Sequence, residues 1–339
     1  MSNGKPAGGP EPGRSEDTVG ERGEFALIDA IAKRLPQGKA VLVPPGDDAA
    51  VVQVESTPTV VTTDVLVAGV HFRTDWADAH DIGRRAAAAS LADLVAMGSQ
   101  PVALVVALVA PQDTEVAWVL RLADGLRDEA ALVGASIVGG DVSAGEQLAV
   151  TVTGVGSLQG RRPVLRGGAK NGDQVALAGR VGWAAAGLAV LSRGFGTPRA
   201  LVEAYRRPEV DYSAGLKAAA AGVHAMCDVS DGLLADLTHL ATSSGVTIDL
   251  ASERLEIPDP IAAVAAAYGT DPLIWLLGGG DDHAFAATFA AKKRLPKGFV
   301  RIGQVGPAPV AGIEGDAERP AVTVDGKPWS ASAGHSHYG

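Results

Sequence analysis

The chain has 339 residues, 47% of them hydrophobic, and a formal net charge of −10, so it can bury a substantial core and fill two domains of ordinary size. The charge and the lack of any Lys/Arg cluster exclude an electrostatic grip on a nucleic-acid backbone, and the longest apolar run, Val102 to Ala110, stops at Pro111 after nine residues, too short for a membrane helix. A single cysteine, Cys227, forms no intrachain disulfide; with no export signal the expected compartment is the cytoplasm, and small phosphate ligands stay open to an acidic protein whose carboxylates first gather Mg²⁺.

In chain order, residues 1–20 are rich in Gly, Pro and charge and read as a disordered tail. A helix is expected over 24–34 and strands around 40–43, 51–54 and 59–63, each bounded by Gly, Pro or Asp. Residues 81–97 are Ala-rich, with Asp81 as the expected N-cap and Gly98 past the end, which predicts a helix. Pro101 opens an apolar strand, a helix follows at 114–132 capped by Asp113, and strands are expected at 135–138 and 148–157. The stretch 159–173, with its Arg, Lys, Gly and Pro, reads as a linker. Beyond it come a strand at 174–178, helices near 184–193 and 213–221, one after Asp231, and one at 258–268. The expected class is mixed α/β in two domains: an N-terminal one at 21–158, a C-terminal one at 159–330, and a short tail at 331–339.

The chemistry-bearing residues are acids beside small neighbours. No G-x-x-x-x-G-K-[ST] loop occurs, and Gly154-Val155-Gly156 lacks the third glycine of a dinucleotide loop. Asp47 and Asp48 follow Gly46 in a tight turn, either a solvated acidic turn or a carboxylate pair. Thr62, Thr63 and Asp64 close a strand and offer hard oxygen donors of the kind Mg²⁺ takes. Asp93 shares a helical stripe with Ala86, Ala89 and Met97, so its charge needs a metal or a partner such as Arg84 or Arg85. Gly139-Gly140-Asp141 either brings backbone N–H groups to a phosphate or makes a plain turn. Asp228, Ser230 and Asp231 precede a helix, where caps or phosphate contacts both fit. Gly278-Gly279-Gly280-Asp281-Asp282 is a close ligand loop or a flexible one. Cys227 is expected to be a free buried thiol. His71 is more readily structural than catalytic, His335 and His337 are weak metal candidates, and Trp183, Trp275 and Trp329 suit core or interface positions.

Taken together and in order, GDDAAVV (46–52), TTDVLVAGVHF (62–72), SLADLVAMGSQP (90–101), GGD (139–141), DVSDGL (228–233) and GGDDHAF (279–285) resemble the thiamine-monophosphate kinase family. The resemblance implies an N-terminal ATP-binding domain related to aminoimidazole ribonucleotide synthetase, a second α/β domain, and a homodimer joined through the N-terminal sheets. It implies several Mg²⁺ ions on Asp48, Thr62, Thr63, Asp64, Asp93, Asp141, Asp228 and Asp231, ATP contacts at Gly140, Asp141, Arg166 and Ser230, and substrate contacts at His71 and Asp281. The family pattern has Glu where Asp281 stands and an aromatic where His283 stands; its C-terminal aromatic falls on Trp329 or Tyr338. The implied reaction converts ATP and thiamine monophosphate to ADP and thiamine diphosphate. Its nucleophile is a phosphate oxygen already largely ionised, since the second phosphate pKa is about 6. No residue is therefore assigned as covalent nucleophile or general base, and transfer is expected to be direct and in line. The alternatives are another ATP-dependent synthetase of the same superfamily, acting on ribonucleotides, selenide or a carbamoyl group, and a non-catalytic nucleotide-binding module.

Overall fold

The computed structural model describes residues 18, 30–31, 33–43, 51–53, 58–308 and 321–331. Most of the expected tails, most of the 24–34 helix, and Asp47, Asp48, His335, His337 and Tyr338 lie outside the described residues.

The first half comprises β1 (Val41–Val43), β2 (Val51–Val52), β3 (Thr59–Val67), α1 (Ala79–Ala96), β4 (Gln100–Ala110), α2 (Val116–Ala131), β5 (Ser136–Ala144) and β6 (Ala149–Ser157). Strands β3, β6, β4 and β5 form one sheet in that order, parallel between β4 and β5 and antiparallel elsewhere. Its inner face is covered by α1, which starts earlier than its sequence suggests. Asp78 is the N-cap, its carboxylate accepting the Asp81 N–H at 2.9 Å, and Asp81 sits in the first turn. Helix α2 begins at Val116 with Glu115, rather than Asp113, at the cap position. Strand β5 runs straight through Gly139, Gly140 and Asp141, where a turn or strand end was expected. A Cβ on Gly140 would overlap the Val106 carbonyl of the paired strand, so that glycine serves strand approach.

The second half comprises β7 (Gln174–Ala178), α3 (Trp183–Leu191), α4 (Arg199–Arg206), α5 (Tyr212–Ala220), β8 (Ala225–Val229), α6 (Leu233–Ser244), β9 (Thr247–Leu250), α7 (Asp259–Tyr268), α8 (Leu273–Gly278), β10 (Ala284–Phe289), β11 (Phe299–Gly306) and β12 (Val322–Val324). Its sheet order is β12-β9-β11-β7-β10-β8, parallel only between β12 and β9. Strands β7, β8 and β10 are buried at every residue, and alternate side chains serve two different cores. Ala176, Ala178, Met226, Phe285 and Ala287 join the core built around α1, whereas Val175, Leu177, Cys227, Val229 and Ala286 join the core beneath α3, α4 and α6. The period-two pleat of a strand thus welds the halves together.

Polar contacts reinforce that seam. Buried Glu129 of α2 pairs with Arg84 at 2.7 Å and accepts the Tyr212 hydroxyl at 2.7 Å. Arg207 reaches Asp81 at 2.7 Å, and Arg206 Nε donates to the Trp76 carbonyl at 2.6 Å. The 159–173 stretch is pinned on both sides, Val164 N–H to the Met97 carbonyl at 3.0 Å and Met226 N–H to the Leu165 carbonyl at 3.2 Å. Among the described residues no helix is long and apolar enough to cross a membrane.

Helices α1 and α2 touch backbone to backbone, since a Cβ on Gly125 would overlap the His80 carbonyl and one on Gly83 the Leu122 carbonyl. Gly125→Ala is accordingly expected to destabilise the fold by roughly 1–3 kcal/mol through overpacking, read as a lower midpoint in thermal unfolding by circular dichroism. An unchanged midpoint would mean that the helices separate freely.

Candidate active site

Between the two halves lies a cleft of about 640 Å³. Its walls come from the end of β3 and the turn after it (Asp64, His71, Phe72), from α1 (Arg85, Ala89), from the start of α3 (Ala184, Ala185), and from the 230–231 and 278–283 loops. The residues meeting there are far apart in sequence and include five that the motifs singled out: Asp64, His71, Ser230, Asp231 and Asp281.

At the inner edge of this cleft stands an acidic cluster. The pleat of β3 turns Thr62 and Asp64 toward α1, where Ser90 and Asp93 lie one helical turn apart. Thr62 Oγ1 donates to Asp93 Oδ2 at 2.6 Å, and Ser90 Oγ reaches Asp64 Oδ2 at 2.6 Å and the Val152 carbonyl at 3.0 Å. From the other half, Asp228 near the end of β8 is buried and lies 3.0 Å from His283 Nδ1. Burial, and next the charge of Asp228, push the Asp93 pKa up to about 6, with Asp64 adding to the rise and the Thr62 hydrogen bond opposing it. Burial works to lower the His283 pKa, yet the hydrogen bond and charge of Asp228 outweigh it and push it up to about 9. The arginine partners considered for Asp93 are engaged elsewhere, Arg84 with Glu129 and Arg85 with Asp281.

This donor set suits a hard divalent cation. Carboxylate and hydroxyl oxygens are what Mg²⁺ takes, no thiolate is among them, and Asp93, its pKa raised by burial first and by the charges of Asp228 and Asp64 next, is a carboxylate whose ionised form a dication would favour. Among the described residues, the only group of three or more His, Cys or carboxylate side chains with ligand atoms all within 4.8 Å of one another is instead Asp78, His80 and Asp81. There Asp78 caps α1 and pairs with Arg121, Asp81 pairs with Arg207, and His80 with Asp128, so helix capping and ion pairing account for the grouping.

The remaining predicted residues are divided by the fold. Thr63 points to the opposite face of β3, its hydroxyl 3.0 Å from Thr153 Oγ1. Asp141 is exposed on β5, bonded to Ser143 Oγ at 2.9 Å. It is in register with Ala107, Thr151 and Val65 across the sheet, three strand spacings from β3 or about 14 Å. Gly140 packs against β4, and Arg166 is exposed, outside the cleft lining. Asp231 lines the cleft, but its N–H and that of Gly232 both donate to Asp236 Oδ2 at 3.1 Å, so those two amides at the start of α6 are already taken. His71 Nδ1 accepts the Val67 N–H at 3.0 Å, which places the ring proton on Nε2. Trp329 packs partly against the second core.

Two buried acids have roles that the motifs do not signal: Asp236, absent from them, and Asp282, read there only as part of a ligand or flexible loop. Asp236 holds the 231–232 backbone, and its pKa is pushed up to about 7 by burial and by Asp228 and Asp231. Asp282 accepts the N–H groups of Trp183 and Ala184, both at 3.0 Å, capping α3 from a distant loop; burial pushes its pKa up to about 7. Its signal was a helix start, Gly182, with no side chain of its own to cap it.

Comparison with known proteins first gives the class. The sequence matches the AIR synthase related protein N-terminal domain over residues 46–158 and the corresponding C-terminal domain over 170–309. Thiamine-monophosphate kinase of Mycobacterium tuberculosis is 44% identical over 323 residues, 95% of this chain and 93% of the relative. That of Escherichia coli K12 is 34% identical over 78% of this chain and 82% of the relative. Among solved structures, thiamine-monophosphate kinase from Stenotrophomonas maltophilia K279a superposes with a TM-score of 0.76 at 33% identity, covering 90% of this chain and 97% of the other. AaThiL complexed with AMPPCP and TMP gives 0.74 at 32%, covering 93% and 98%. The chain belongs to the thiamine-monophosphate kinase family. Hydrogenase maturation protein HypE, 16% identical with a TM-score of 0.68, shares the fold.

Asp93, Asp236 and Asp282 have folded pKa values above the ordinary carboxylate value, and His283 one above the ordinary imidazole value. Each therefore contributes stability that is lost as pH rises through its folded pKa. Chelator-treated protein is expected to melt at higher temperature at about pH 5 than at about pH 8, and Asp93→Asn should flatten part of that slope. Scanning fluorimetry with and without Mg²⁺ checks this, and a melting temperature that climbs from pH 5 to pH 8 would contradict it.

Proposed function

We propose that this chain phosphorylates thiamine monophosphate to thiamine diphosphate with ATP as donor, the γ-phosphoryl group passing directly and in line to the acceptor phosphate. The observation that carries the proposal is the cleft in which His71, Asp281, Ser230 and the Asp64 edge of the acidic cluster meet, in a chain 44% identical to a thiamine-monophosphate kinase. A related structure holds AMPPCP and TMP together, as a direct transfer between two bound substrates requires.

In this scheme Thr62, Asp64, Asp93, Asp228 and Asp231, joined by Asp48, hold Mg²⁺. When bound there, Mg²⁺ would supply charge neutralisation between two anionic substrates. His71 and Asp281 contact the acceptor, and Gly140, Asp141, Arg166 and Ser230 the nucleotide. The protein's part is positioning and charge balance, because the acceptor phosphate is already a nucleophile. Among the described residues Cys227 and His283 are poorly placed as covalent nucleophiles: the Cys227 thiol is buried and its pKa pushed well up by that burial, and His283 is buried against Asp228. The unit boundary falls within 159–173, and the expected compartment is the cytoplasm.

A homodimer accounts for the residues the single chain keeps apart. The outer face of the four-stranded sheet exposes Val61 (64%), Val65 (48%) and Val105 (40%), and Thr63 and Asp141 lie on this same face. A second copy covering it would bury the valines and bring Thr63 and Asp141 beside a neighbour. Val61→Glu is expected to give a monomer by light scattering with reduced turnover; a dimer retained by that variant would place the interface elsewhere.

The decisive assay compares ADP release with thiamine monophosphate, thiamine and an aminoimidazole ribonucleotide precursor, with and without chelation of divalent metal. Turnover is expected with the first alone, and only with metal. Initial-rate plots should intersect, and a γ-phosphate made chiral with oxygen isotopes should invert. Parallel plots with retention would require a phosphorylated enzyme.

A further inference from the structure

The 279–283 loop holds two non-glycine residues in the left-handed region, Asp281 (φ 67°) and His283 (φ 51°). Such conformations persist where the surroundings over-determine them, and here they do. Asp281 N–H donates to the Ser230 carbonyl at 2.8 Å, His283 N–H to the Val229 carbonyl at 3.0 Å, and the Asp282 carboxylate is fixed on the start of α3. These contacts fix the backbone of the loop and leave the Asp281 side chain, 51% exposed at the cleft, to be oriented by something else.

That something is Arg85. It stands on α1, in the other half of the molecule, with its side chain only 5% exposed. Nη2 donates to Asp281 Oδ2 at 2.7 Å and Nη1 to the Tyr205 carbonyl at 2.7 Å, while the guanidinium carbon lies 5.0 Å from the Tyr205 ring centroid. The Tyr205 carbonyl belongs to the last turn of α4, where acceptors lack intrahelical partners and the dipole favours a cation. Helix end, aromatic ring and carboxylate thus hold one planar group in a single orientation, which a lysine ammonium with its rotatable donors could not reproduce.

We propose that Arg85 is a positioning residue for the acceptor, acting through Asp281: it holds Oδ2 from behind, so that Oδ1 is presented in one direction to the amine-bearing, cationic ring portion of thiamine monophosphate. The proposal rests on Asp281 contacting the acceptor. It gives α1 of the N-terminal half a part in recognising the acceptor through a loop of the C-terminal half.

A double-mutant cycle on the full-length chain tests it, using Arg85→Gln, Asp281→Ala and the pair, with KM for thiamine monophosphate and for ATP measured separately at saturating Mg²⁺. Losing a charged hydrogen bond to the contact group should raise KM for thiamine monophosphate roughly tenfold or more in each single variant. KM for ATP should stay within about twofold, and the double variant should be no worse than Asp281→Ala alone, because residues acting through one another are non-additive. Arg85→Lys should recover part of the loss, and it replaces Arg85→Gln in the cycle if the latter does not fold. Effects that multiply, or an equal rise in KM for ATP, would overturn the proposal and leave Arg85 as a domain tie. If Asp281→Ala leaves KM for thiamine monophosphate unchanged, Asp281 does not contact the acceptor, and the failure lies with that assignment instead.

Discussion

The burial of Asp93 beside Asp64 and Asp228 is the constraint around which the rest is arranged. Taking that carboxylate out of water is the first cause of its raised pKa, and the neighbouring charges of Asp228 and Asp64 add to it. Each member is held by a neutral hydroxyl or by His283 rather than by an arginine. Arginine ion pairs would satisfy the acids permanently. The hydroxyls orient Asp93 and Asp64 without neutralising them, while His283, its pKa pushed up to about 9, is the one cationic partner and is held on Asp228.

Arginines are used instead around the cluster, to lock the two halves. Arg84, Arg85, Arg206 and Arg207 each reach across the seam or brace a group that does. Glu129 is nearly inaccessible, yet it is paired with Arg84 and bonded to Tyr212, so its charge is not stranded. Because β7, β8 and β10 lend one face to each core, the halves cannot shift far without opening apolar surface. The geometry of the cleft is therefore a property of the seam as much as of its lining loops, and that suits a reaction whose catalysis is mainly positioning.

Much of the framework was legible along the chain. The Ala-rich run before Gly98 became α1, and Gln174–Ala178 became β7 with those limits. The acids at 64, 93, 228, 231 and 281 lie in or beside one cleft, while Thr63 and Asp141 lie on the other face of the sheet. Asp78 and Asp81 both offer a carboxylate near the start of α1, and only the path of the chain entering the helix makes Asp78 the cap. The strand through Gly139–Asp141 was cut short because glycines signal turns locally, whereas here they let β5 approach β4.

The sequence by itself determined which chemistry is available: acids beside small residues, no P-loop, no disulfide, and an ordered set of motifs. Those are properties of residue type and short spacing, which local backbone geometry already encodes. Only the tertiary structure decided which acids share a face. Thr62 and Thr63 are neighbours in sequence yet point to opposite sides of β3, and Asp141 is separated from Asp64 by two intervening strands. It also revealed that Asp282 caps a helix begun 99 residues earlier and that Arg85 holds Asp281 across the seam. Contacts of that span depend on strand order and on the packing of two cores, which no local pattern carries.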